Sequence, residues 1–190
     1  STLDRSSAAS DVYKRQVLVM TAFFVLVALV STLVIRSNIR HITEVWSPSL
    51  EYLQELETMT AKYRIKQYQH LVESDAAAMA TCEKENDNIE SQIKDATAKL
   101  GEIINSNKKA QQGKADYEKA TSAWEEYLST SDEVYKLSRD NKQAEAAKIM
   151  IGSAYESYMS FVKQLNTLHD DFQVELDNAK TLANICTIII

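Results

Sequence analysis

Val17-Leu18-Val19-Met20-Thr21-Ala22-Phe23-Phe24-Val25-Leu26-Val27-Ala28-Leu29-Val30-Ser31-Thr32-Leu33-Val34-Ile35 carries no charge along its whole length. About 20 apolar residues in a helix span the hydrocarbon core of a bilayer, so residues 17–35 have the length of a transmembrane helix. Thr21, Ser31 and Thr32 interrupt the run, but a helical threonine or serine can bond its hydroxyl back to the preceding turn. A cleaved signal peptide would have a shorter apolar core followed by small residues. Arg36-Ser37-Asn38-Ile39-Arg40 follows instead, which favours an uncleaved span.

Upstream, Ser1 to Gln16 is polar and without periodicity. The string Asp11-Val12-Tyr13-Lys14-Arg15-Gln16 resembles one reading frame of a transposon adapter. Residues 1–16 are therefore expected to be an assembly artefact or a disordered tail, and they are set aside from the fold. At the other end, Ile185-Cys186-Thr187-Ile188-Ile189-Ile190 turns abruptly apolar, and residues 185–190 are expected to begin a second membrane span.

Between these anchors, residues 36–184 read as four amphipathic helices. The whole chain holds 3 Gly and 1 Pro, too few for the turns of a sheet protein. The fold class is therefore all-α: a transmembrane helix continuing into an up-down-up-down antiparallel four-helix bundle. The first segment runs from Arg36 to about Glu73 on the stripe Ile39, Ile42, Trp46, Leu53, Leu56 and Tyr63. Pro48 removes one backbone bond and is expected to bend it. Ser74 and Asp75 offer a cap for a second segment from about Ala76 to Asn105, with Met79, Cys82, Ile89, Ile93, Leu100, Ile103 and Ile104 on its apolar face.

Gly101 lies inside that second helix at a cost of about 1 kcal/mol relative to alanine. The third segment, about Lys114 to Ser138, presents Tyr117, Trp124, Tyr127, Leu128, Val134 and Leu137. Asp140 or Asn141 is the expected cap of the fourth. That segment is predicted to run from about Lys142 without interruption into the C-terminal apolar stretch, on Ala147, Ile151, Ala154, Tyr158, Phe161, Leu165, Leu168, Phe172, Ala179 and Leu182.

Function classes narrow by exclusion. A net charge of −6 leaves no basic stripe for nucleic acid, so no nucleic-acid partner is expected. The chain has no Gly-rich phosphate loop, no His-Glu-x-x-His and no Cys-x-x-Cys. Cys82 and Cys186 read as free thiols, and His41, His70 and His169 are too far apart to hold a metal. No enzyme activity and no cofactor are expected. The stretch Tyr63-Arg64-Ile65-Lys66-Gln67-Tyr68-Gln69-His70 offers bidentate, cationic and aromatic groups suited to a small carboxylate. Helix four offers Ser153, Tyr155 and Tyr158 at the matching height, while the bland reading makes Arg64 and Lys66 surface charges and the tyrosines core.

The order of segments, with Val45-Trp46-Ser47-Pro48-Ser49-Leu50 and Trp124-Glu125-Glu126-Tyr127, resembles the four-helix-bundle sensory domain of methyl-accepting chemotaxis proteins. The family shares a Trp-x-Pro-Ser stretch early in helix one and a Trp-x-x-Tyr on helix three. The resemblance implies a homodimer in the inner (cytoplasmic) membrane, with its bundle on the periplasmic side. It also implies an amino-acid or small-carboxylate ligand at the subunit interface, a signal carried by helix displacement, and a downstream signalling domain outside this chain. It points to Arg64 as the ligand group, with Lys66, Tyr68, His70 and Tyr155 beside it. The same sensor also precedes histidine kinases and nucleotide cyclases, and a non-sensory helical scaffold is the third alternative.

Overall fold

The computed structural model describes the backbone of residues 2–189 and the side chains of residues 11–188. Every regular element among them is helical: α1 (Thr2–His41), a π-helical turn (Ile42–Trp46), α2 (Ser47–Val72), α3 (Ala76–Ser106), a 3-10 turn (Ala110–Gly113), α4 (Lys114–Ser129), α5 (Ser131–Arg139), α6 (Gln143–Ile151) and α7 (Ser153–Ile189). The chain divides into two compact units, Ser1–Ile42 with Asp177–Ile190, and Thr43–Leu176.

The first unit holds the apolar run. Leu18, Phe23, Phe24, Leu26, Leu29 and Leu33 are all exposed, which a helix of a water-soluble core would not allow. Thr21 and Thr32 donate their hydroxyls to the carbonyls of Val17 (2.9 Å) and Ala28 (2.8 Å), so neither leaves a polar group unsatisfied. By length and composition this is the one helix among the described residues that could cross a membrane. The expected leader, residues 1–16, includes Ser1 and side chains that lie outside the described residues. The expected second span includes Ile190, which lies outside them too.

The second unit is the bundle. Its four rods are α2, α3, α4 with α5, and α6 with the first part of α7. At one end, Leu71 of α2 packs with Val134 of α5 and with Ala146 and Met150 of α6. At the other, the Trp46 ring lies 5.4 Å from Phe172 of α7, and Gly113 at the α3–α4 turn abuts Leu168 and Phe172. The α2–α3 and α5–α6 connections thus share one end, and successive rods run antiparallel. Between the ends, Leu53, Leu56, Ile93, Leu100, Ile104, Trp124, Phe161, Leu165 and Leu168 are buried, which is the core read from the stripes.

The caps follow side-chain chemistry. Asp75 accepts from the Ala78 N–H at 2.9 Å and starts α3. Asn141 is no N-cap. It takes φ 59°, while its N–H reaches Ser138 O and the Lys142 N–H reaches Leu137 O, the two bonds that close a helix C-terminus through a left-handed residue. Asparagine tolerates that conformation better than most residues.

Around Pro48 the backbone stays helical from Asp11 to Val72, and a π-helical turn directly before the proline accommodates the N–H it lacks. Two expectations need correction. The third rod is broken at Thr130 into α4 and α5. The fourth rod does not run uninterrupted: Gly152, with φ −100° and ψ −113°, separates α6 from α7. Within α6 the core face is Ala146 and Met150, so Ile151, one residue further round the helix, is exposed rather than part of the core.

Candidate functional site

Arg64 sits on α2 at the level of the Gly152 break, nine-tenths buried at 9% exposure. Its Nη2 donates to the Met150 carbonyl at 2.7 Å and to the Tyr68 hydroxyl at 2.9 Å. Met150 is in the last turn of α6, whose final carbonyls have no partner within the helix. Arg64 therefore caps α6 from a neighbouring rod and places a cation at the negative end of its dipole.

Four tyrosine rings surround the guanidinium. Its central carbon lies 5.2 Å from the centroid of Tyr68, 5.9 Å from Tyr127, 5.5 Å from Tyr155 and 5.2 Å from Tyr158. Cation–π attraction offsets part of the desolvation cost. Burial raises the Tyr127 and Tyr158 phenols above their ordinary range, against the opposing pull of Arg64. They are neutral at physiological pH and supply ring faces and hydroxyls, not negative charge. No carboxylate pairs with Arg64 among the described residues, and its buried Nη1 has no hydrogen-bond partner. Tyr68 (38% exposed) and Tyr155 (46%) form the outer edge of this cage.

The structure joins three of the five sequence-derived site residues, Arg64, Tyr68 and Tyr155, together with Tyr158, which the sequence had placed at the same height of helix four. Lys66 and His70 lie elsewhere. Positions two and six along from Arg64 fall on the far side of a helix with 3.6 residues per turn. Lys66 reaches α3, pairing with Glu85, and that bond raises its pKa. His70 is fully buried beneath α5, with Nδ1 2.8 Å from Ser138 Oγ and Nε2 2.9 Å from Glu83 Oε1. Glu83 also accepts from Arg139; burial raises its pKa, but the hydrogen bonds from Arg139 and His70 outweigh this and leave it below the ordinary value.

Tyr127 was legible as core and as part of the Trp124-Glu125-Glu126-Tyr127 motif, but not as a neighbour of Arg64. It does double duty: its ring faces Arg64 while its hydroxyl donates to Gln67 Oε1. Gln67 in turn donates to Ser131 at 2.9 Å, and Asn86 donates to Tyr63 O at 3.0 Å and to the Tyr135 hydroxyl, so a buried polar seam ties α2 to α3, α4 and α5.

A family described as a four helix bundle sensory module for signal transduction matches residues 16–183. The chain belongs to this family. The sensory module covers both the apolar helix and the bundle, and both tryptophan motifs lie in the bundle core: Trp46 packs against Phe172 at a tilt at one end, and Trp124 lies 5.0 Å from Tyr127 with the rings nearly parallel. No curated protein matched the chain.

Proposed function

We propose that this sensory module is the ligand-sensing domain of a transmembrane chemotaxis receptor, and that its ligand is a small carboxylate such as an amino acid held by Arg64. Residues 17–35 serve as the first span and residues 185–190 begin the second. The bundle lies on the periplasmic side of the inner membrane. One observation carries the ligand reading: a buried guanidinium has neutral rings around it, no carboxylate partner and an unsatisfied Nη1. Such a group binds a carboxylate bidentately more strongly than any neutral acceptor. Tyr68 and Tyr155 must part to admit it.

Exposed apolar side chains flank the cage. Ile65, Tyr68 and Val72 on α2, with Ile151, Tyr155 and Met159 on α6 and α7, form a face suited to a second copy of the chain. The ligand would then be enclosed where two protomers meet. A carboxylate that takes both guanidinium nitrogens competes with the Met150 carbonyl and loosens the α6 cap. The state with α7 displaced is thereby favoured, by the difference in ligand affinity between the two states.

Calorimetric titration of the full chain in lipid nanodiscs with a panel of amino and organic acids tests this. One or more should bind saturably, and Arg64→Gln should weaken binding roughly 100-fold, on the order of the 1.5–3 kcal/mol of a charged hydrogen bond. Lys66→Ala should leave affinity unchanged. Binding that survives Arg64→Gln, or a panel without a ligand, refutes the assignment.

A further inference from the structure

Away from the Arg64 cage, a cavity of about 420 Å³ lies between α3 and α4. None of the tyrosines around Arg64 lines it. It is half open to solvent rather than enclosed. It exists here because small side chains face each other across the gap: Thr97 and Ala98 on α3, Ala120 and Thr121 on α4. Its inner wall is apolar, built from Leu56, Ile93, Trp124, Phe161 and Leu165.

One wall is locked in place by Tyr117. Its hydroxyl donates to the Thr97 carbonyl at 3.0 Å, and the ring crosses α3 directly over Gly101, where any Cβ would collide with it. The mouth carries Glu90 and Glu125 against one cation, Lys94. Neither carboxylate is ion-paired among the described residues.

We infer that this cavity is a second ligand site, for a small aromatic amine whose ring enters the apolar chamber and whose ammonium stays at the mouth between Glu90 and Glu125. The volume falls in the range of small-molecule sites, and one or two rings fit where about 150 Å³ suffices for benzene. Aromatic walls receive the ring, and the excess of carboxylates at the mouth selects a cation over an anion. This site has the opposite charge preference to the Arg64 cage and does not depend on it.

The test is calorimetric titration of the full chain in nanodiscs, corrected for empty nanodiscs, with 2-phenylethylamine, 2-phenylethanol and phenylacetate. The amine should bind saturably and at least about tenfold more tightly than phenylacetate. Glu90→Gln with Glu125→Gln should bring the amine to the level of the alcohol. Ala98→Phe, at an exposed rim position that leaves the core untouched, should abolish binding of all three. Arg64→Lys should change none of these values, which separates this site from the carboxylate site. No saturable amine binding, phenylacetate binding as tightly as the amine, or amine binding unchanged by Ala98→Phe overturns the inference.

Discussion

Replacing Gly101 by alanine should destabilise the bundle, although alanine is the better helix former. A Cβ at residue 101 would lie 3.0 Å from Tyr117 Cζ and closer still to the hydroxyl. Tyr117 would have to swing away and lose its bond to the Thr97 carbonyl. Alanine contributes about 1 kcal/mol through helix propensity. Displacing a packed ring costs roughly 1–3 kcal/mol, and the lost hydrogen bond about 1 kcal/mol. The net effect is a loss of about 1–3 kcal/mol.

In a Tyr117→Ala background the collision is gone, and the same substitution should stabilise by about 1 kcal/mol. The sign therefore reverses, with a coupling of about 2–4 kcal/mol between the two positions. Thermal unfolding of the four variants, followed by helical circular dichroism in detergent micelles, reads this as a Tm shift of roughly 2–4 °C per kcal/mol. If Gly101→Ala stabilises by the same amount with and without Tyr117, the ring does not lie over Gly101, and the cavity wall described above is wrong.

Gly113→Ala should also lower Tm, by an amount equivalent to about 1–3 kcal/mol of overpacking, because its Cβ would come within 2.7 Å of Leu168 Cδ2 and 2.9 Å of Phe172 Cζ. Adding Phe172→Leu should recover part of the loss, and a Gly113→Ala protein as stable as the parent would refute this packing. Glu83 gives a pH signature. Its pKa is below the ordinary 4.5 in the folded chain, so its pairing with Arg139 and His70 stabilises fully above that ordinary value and is lost as pH falls through the lowered one. Glu83→Gln should therefore flatten the acid side of a Tm-against-pH curve, and an unchanged acid limb would exclude the linkage.

Local rules made most of the bundle readable. Asp75 ahead of Ala76-Ala77-Ala78 announced a capped helix, and α3 ends within a residue of the expected Asn105. Buried positions such as Leu53, Ile93, Leu100, Phe161, Leu168 and Phe172 fell on the stripes because one face of each rod must leave water. What stayed hidden depends on partners distant in sequence. A glycine within an apolar periodic run reads as a tolerated defect. Gly152 leaves the helical backbone region and breaks the rod, and the Met150 carbonyl just before it is taken by Arg64, 86 residues away.

The site was half legible for the opposite reason. Tyr63 to His70 is compact in sequence, but a helix distributes neighbours around its circumference, so Lys66 and His70 turned to α3 and α5 while Tyr68 stayed beside Arg64. Neither the place of Tyr127 beside Arg64 nor the α3–α4 cavity could be read in advance. Tyr127 has the periodicity of any core residue, and the cavity arises from small side chains meeting across two helices.

The break at Gly152 changes what the fourth rod can carry. A continuous shaft passes a thrust from one end to the other, whereas an articulated one folds at its knuckle and dissipates the load there. Arg64 grips both sides of that articulation, Met150 before it through a hydrogen bond and Tyr155 and Tyr158 after it through their rings. On the proposed mechanism, a ligand that moves this one side chain changes how α6 and α7 are held together at the articulation.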